Sequence, residues 1–114
     1  MEQPERRRAL RFPFDASAEF VAENSDARVT ARVSEISLNG CYLQTVEPLP
    51  DKTNIVLKIF AEARFFEAHA TVAYAQPNKG MGLAFREVKP YFLTVLRRWL
   101  LEAMAAKQKQ KSAD

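Results

Sequence analysis

Between Arg28 and Ser37 the chain reads RVTARVSEIS, with Val29, Ala31 and Val33 on one side of an extended backbone and Arg28, Thr30, Arg32 and Ser34 on the other. A period of two marks a strand with one face in a core and the other in water. Weaker versions flank it. DASAEFVA (Asp15 to Ala22) alternates small and apolar side chains and runs into the turn-forming ENSD of residues 23–26. After Leu38-Asn39-Gly40 comes CYLQTV, halted by EPLPD, whose two prolines break any ladder. TNIVLKIFA and ARFFEAHATVAYA are rich in β-branched and aromatic residues, with Phe66, Ala68, Ala70 and Val72 in step, and a turn at QPNKG leads into MGLAFREV. About six short strands at this spacing favour a small antiparallel barrel or sandwich over a parallel sheet, which needs helices between its strands.

The period changes at Pro90, a residue suited to the first turn of a helix. YFLTVLRRWLLEAMAAK carries Phe92, Val95, Leu96, Trp99, Leu100 and Met104 at steps of three and four, with Arg97, Arg98 and Glu102 on the outer side. An amphipathic C-terminal helix follows, whose apolar stripe closes an open end of the barrel or meets another subunit; packing on its own barrel is the expectation. Residues 1–13, polar and bounded by prolines, read as a flexible arginine-rich arm, residues 14–106 as barrel plus helix, and residues 107–114 as a disordered tail. No repeat or low-complexity segment interrupts this single-domain plan.

Composition narrows the function. A chain of 114 residues with 47% hydrophobic and 27% charged residues is long enough and apolar enough to fold around one core. Cys41 stands alone, so no disulfide framework or multi-cysteine metal site is available. No leader resembling a signal peptide opens the chain and no apolar run approaches a membrane span, so the expected compartment is the cytoplasm and no membrane insertion is expected. The net charge of +3 is modest, but Arg6, Arg7, Arg8 and Arg11 cluster at one end and Lys107, Lys109 and Lys111 at the other.

Catalysis is not expected. His69 has no second histidine with which to share a metal, and reads as a solvent-facing or hydrogen-bonded strand residue. Cys41, between Gly40 and Tyr42, reads as a small core filler; a Cys41–His69 nucleophilic pair is open on separation alone, but nothing marks either residue as activated. Three glycines cannot supply a phosphate-binding glycine loop or a dinucleotide fingerprint.

Two stretches carry chemistry. In the arm, Arg7 and Arg11 lie four residues apart with Arg6 and Arg8 beside them. Guanidinium forks grip phosphates and the O6/N7 edge of guanine and stack on base faces; the plainer reading is a solubilising tail. In SEISLNGCYL, Glu35, Ser37 and Gly40 fall within six residues. Glu35 and Ser37 are expected to project to one side, the carboxylate placed to accept the N1 and N2 hydrogens of a guanine, and Gly40 to take a positive φ or admit a ligand close to the backbone. The plainer reading is a strand end in which Asn39-Gly40 turns and Ser37 bonds its own backbone.

The ordered set of RxxxR at Arg7 to Arg11, ExSxxG at Glu35, Ser37 and Gly40, and GMGLAF at residues 80–85 ahead of a terminal helix resembles the PilZ domain family. The resemblance spans about Glu5 to Leu101. It implies a six-stranded antiparallel barrel that binds the bacterial second messenger cyclic di-GMP, with Arg7 and Arg11 on guanine and phosphate groups, Arg8 as an extra contact, and Ser37 and Gly40 as the floor of the site. One position departs: the family has aspartate or asparagine where this chain has Glu35, which keeps the acceptor but reaches one methylene further. Two other readings remain. A degenerate member would bind no nucleotide and act through a protein partner. A small barrel could instead bind single-stranded nucleic acid, its basic termini tracking phosphates and Tyr42, Phe65 or Tyr74 stacking bases; the resemblance implies a dinucleotide rather than such a polymer.

Overall fold

The computed structural model describes residues 10–112, the side chains of 108–112 excepted. Six strands, β1 (Phe12–Ala22), β2 (Arg28–Ile36), β3 (Gly40–Gln44), β4 (Asn54–Ala61), β5 (Arg64–Gln76) and β6 (Gly80–Glu87), precede one helix, α1 (Pro90–Ser112). They form a closed barrel in the order β1-β2-β3-β6-β5-β4, antiparallel at each pairing and sealed by β1 against β4. This decides between the barrel and the sandwich. Closure leaves no sheet edge to pair with another chain. The break in sequential order falls at the proline-bearing EPLPD, where the chain leaves β3 and crosses to β4.

Alternation supplies the core. Phe66, Ala68, Ala70 and Val72 of β5 all point inward, as do Ile55, Leu57 and Ile59 of β4 and Leu43 of β3. On β2 the pattern survives only in part: Val33 is fully inside, whereas Val29, near the strand's start, stays exposed. A bulge then interrupts β2, because Val33 pairs with Leu43 and Glu35 with Tyr42, two steps on β2 against one on β3. Strict alternation from Val29 through Val33 would have sent Glu35 into the core. The extra residue reverses the parity, so Ile36 is buried and Glu35 faces out.

Helix α1 plugs one side of the barrel against β1 and β5, as the stripe predicts. Trp99 is completely buried, with ring centroids 5.2 Å from Phe14 and 6.1 Å from Phe66, and Val95 and Leu96 are buried beside it. Lys89 opens the helix by accepting the Leu93 amide at 2.9 Å.

Two boundaries differ from expectation. Strand β1 begins at Phe12, inside the supposed arm of residues 1–13, because the barrel absorbs Pro13 next to a second irregularity between Pro13 and Ala16. The helix runs to Ser112, past the expected boundary at 106, since lysine, glutamine and alanine propagate a helix and no glycine or proline intervenes. Met104, at the far end of the stripe and already within the expected helix, is exposed.

Candidate functional site

The β2 bulge, the β2–β3 turn and the β3–β6 ladder together shape a cleft of about 650 Å³ on the barrel's outer face. Leu10, Arg11, Glu35, Ser37, Asn39, Gly40, Tyr42, Tyr74 and Gly82 are among its lining residues. Cross-strand register explains the grouping. Pro13 pairs with Glu35, Glu35 with Tyr42, Tyr42 with Gly82 and Gly82 with Tyr74, so one transverse row crosses five strands.

At the mouth, Arg11 Nη1 lies 3.5 Å from Glu35 Oε1, with the side chains 61% and 47% exposed. Both groups face solvent and are free to exchange partners. Arg7 and Arg8 lie outside the described residues.

The floor is built differently. Ser37 is the buried polar residue of the core region, and its hydroxyl is fully occupied by backbone: it accepts the Asn39 and Gly40 amides at 3.2 and 3.1 Å and reaches the Gly40 carbonyl at 3.2 Å. The Ser37 amide donates to the same carbonyl at 2.8 Å. The strand-end turn considered from sequence is therefore present. Gly40 does not use a positive φ. Its requirement is space, because an added Cβ would lie 1.9 Å from the Leu83 carbonyl oxygen of β6, far inside contact distance.

A second part of the floor escaped the sequence reading as a unit. Tyr42 and Tyr74 stand on strands separated by β6, where two strand spacings amount to about 10 Å, yet their ring centroids are 6.2 Å apart. Gly82 lies between them in register, and a Cβ there would lie 2.3 Å from Tyr74 Cε1. The missing side chain lets the rings lean together into an aromatic shelf. Tyr42 Oη donates to Gln76 Oε1 at 2.5 Å. Burial pushes the Tyr42 phenol pKa up, and the neighbouring Tyr74 and Glu35 add to the shift. The usable signal was the glycine pair in GMGLAF: Gly80 and Gly82 occupy outward positions yet are buried, so something covers them. Phe65, considered with these tyrosines as a base-stacking track, instead packs against Phe60 and Phe92 at 5.3 and 5.5 Å.

Cys41 and His69 do not form a reactive pair. The Cys41 thiol is buried and its pKa is pushed up to about 12 by that burial, the opposite of an activated nucleophile. His69 Nδ1 sits 3.1 Å from Glu23 Oε2 on the outer surface. Among the described residues no group of histidine, cysteine and carboxylate side chains is arranged to hold a metal ion, and no helix is long and apolar enough to cross a membrane.

The chain matches the PilZ domain over residues 5–102, and it belongs to the PilZ domain family. The PilZ domain of YcgR from Escherichia coli, solved with c-di-GMP, superposes with a TM-score of 0.76 at 14% identity, covering 94% of this chain and 98% of that one. The PilZ domain of CeSA from a cellulose-synthesizing bacterium gives a TM-score of 0.65 at 14% identity, over 86% and 98% of the two chains. The Bacillus subtilis inhibitor of motility MotI/DgrA gives 0.74 at 15% identity, over 94% of this chain and 54% of that one, so the present chain spans about half its length. No curated protein matches the sequence. At these identities the structural likeness establishes the six-stranded barrel and helix.

Proposed function

We propose that this chain is a bacterial cyclic di-GMP receptor that works in the cytoplasm, holding the dinucleotide between the RxxxR arm and the ExSxxG face of the barrel. The observation that carries the reading is the meeting of Arg11 and Glu35 at the mouth of a cleft floored by the Ser37–Gly40 turn. Arg7 and Arg11 take the phosphates and the O6/N7 edge of guanine, with Arg8 beside them, and Glu35 accepts from the guanine N1 and N2 hydrogens. Tyr42 and Tyr74 present a stacking face for a base. Ser37 and Gly40 contribute as builders: the serine hydroxyl fixes the turn, and the bare glycine lets β3 and β6 close beneath the ligand. The reading is of a receptor and not an enzyme, and the one thiol among the described cleft residues, Cys41, supports it, since burial pushes its pKa up to about 12.

Energetics make moderate affinity reasonable. Ordering arm residues costs about 1–2 kcal/mol each, while hydrogen bonds to charged groups return about 1.5–3 kcal/mol apiece. Several such bonds plus base stacking, set against the ordering of five or six residues, favour moderate rather than picomolar affinity. Because the grips lie in the arm, binding rearranges it and changes the surface that a downstream protein meets.

Isothermal titration with cyclic di-GMP, with GMP as control ligand, tests the reading. Saturable heat is expected in the wild type and its loss in Arg7→Ala and Arg11→Ala, with the apo melting temperature nearly unchanged. Absence of heat at high micromolar ligand, with unmoved amide NMR signals, would overturn the receptor reading in favour of a member that acts through a protein partner alone.

A further inference from the structure

We propose that Glu35 is a counter-ion gate: it holds Arg11 until a ligand supplies both an anion for the guanidinium and a pair of N–H donors for the carboxylate. The gate makes the cleft selective against simple phosphates. It rests on the reading of this cleft as a nucleotide site.

Four observations carry the inference. Arg11 Nη1 and Glu35 Oε1 are 3.5 Å apart without ligand, so each residue assigned to the ligand already has a partner in the other. The β2 bulge turns Glu35 outward, and the Pro13–Glu35 pairing brings the start of β1 alongside it. Reach matters next. An aspartate would draw the carboxylate back by one carbon–carbon bond, about 1.5 Å, and so out of ion-pair range of Arg11 at its present position. The longer side chain therefore favours the pair in this arrangement. Finally, both side chains are about half exposed. Such a pair is weak enough to exchange, worth a factor of roughly two to five in an equilibrium constant.

Selectivity follows from what each ligand leaves behind. A bare anion that takes Arg11 removes the partner Glu35 has among the described residues and sets a new negative charge beside its carboxylate. A guanine nucleotide gives Arg11 a phosphate and gives Glu35 two parallel donors, so both halves of the broken pair are satisfied. Tyr42, the register partner of Glu35, donates its hydroxyl to Gln76 and offers the carboxylate no replacement.

The full chain and its Glu35→Gln and Glu35→Asp variants decide the matter at fixed ionic strength, with inorganic pyrophosphate and cyclic di-GMP as probes. The Arg11 side-chain Nε–Hε NMR signal of the free protein is followed alongside. That signal is expected to shift in both variants as the pair opens. Glu35→Gln should bind pyrophosphate about two- to fivefold more tightly, narrowing its discrimination. Glu35→Asp keeps the charge that repels a bare anion and should bind cyclic di-GMP tighter by a similar factor, with a smaller gain for pyrophosphate. An Arg11 signal identical in all three proteins, or a Glu35→Gln variant with unchanged pyrophosphate affinity, would overturn the gate. Failure of the wild type to bind cyclic di-GMP would instead sink the receptor reading, while the Arg11 signal and the pyrophosphate arm still decide whether the gate exists. Matching thermal midpoints, expected for a half-exposed position, confirm that both variants are folded.

Discussion

The two halves of the ExSxxG motif are opposites in physical character. Glu35 stands half-exposed at the cleft mouth with Arg11 as its ion-pair partner among the described residues, whereas Ser37 and Gly40 are buried and have no spare hydrogen-bonding capacity or space. In the proposed site one half is available to a ligand, and the other makes the surface on which it would rest. A short motif can thus hold residues of unlike purpose, and their exposure separates them. Substitutions in the buried half should act on folding, and substitutions at the mouth should act on binding.

The strongest way to break this contrast is Gly40→Ala. The new methyl would meet the Leu83 carbonyl oxygen at 1.9 Å, and backbone in a closed barrel cannot step aside as a flexible side chain would. A loss of about 3 kcal/mol or more is expected, at or beyond the upper end for overpacking. Urea unfolding would measure it. If Gly40→Ala keeps the wild-type midpoint and loses only ligand affinity, then Gly40 serves the ligand directly and the division is wrong.

Ser37→Ala comes next. It removes the acceptor that serves the Asn39 and Gly40 amides, leaving the buried Gly40 donor and the part-buried Asn39 donor without that partner. The expected cost is about 1–3 kcal/mol. Faster hydrogen exchange should appear at Asn39 and Gly40 but not in β4. Any loss of nucleotide affinity should then be restored partly by Ser37→Thr, which keeps the hydroxyl.

The same contrast marks how far sequence could see. Strands and helix were readable wherever one face is wholly apolar, as in Phe66 to Val72 or the Trp99 stripe, because burial imposes a period that the residues must follow. Glu35, Ser37 and Gly40 were visible as a group from their spacing alone. The bulge that aims Glu35 outward was not, since one unpaired residue leaves the composition of β2 unchanged and appears only in its register against β3. Nor was the start of β1, where Pro13 reads as an end to a strand although the barrel tolerates it beside an irregularity. The aromatic shelf was hidden for a topological reason. Tyr42 and Tyr74 are 32 positions apart in the sequence, and only the β3-β6-β5 order puts Gly82 between them.

The smallest predicted effect contrasts the ion pair at the mouth with a better-supported one. Glu23 Oε2 is 2.5 Å from Arg86 Nη2 and 3.1 Å from His69 Nδ1, so one carboxylate just past β1 ties together β5 and β6. The His69 hydrogen bond is the leading cause that holds the Glu23 carboxyl below its ordinary value of 4.5; burial pushes the other way, and Arg86 adds to the lowering. A carboxyl depressed in the folded state stabilises the fold fully above its unfolded value, and that contribution is lost as pH falls through the folded pKa. Thermal midpoints of the wild type and Glu23→Gln should therefore differ slightly at pH 6, with the wild type higher, and converge below pH 4.5 as the wild-type carboxyl takes up its proton. A gap that persists unchanged at the acid end would mean that the glutamate stabilises by packing and not by charge. Equal midpoints at pH 6 would put Glu23 with other exposed ion pairs that contribute nothing measurable, and its contacts to Arg86 and His69 would then have no energetic counterpart.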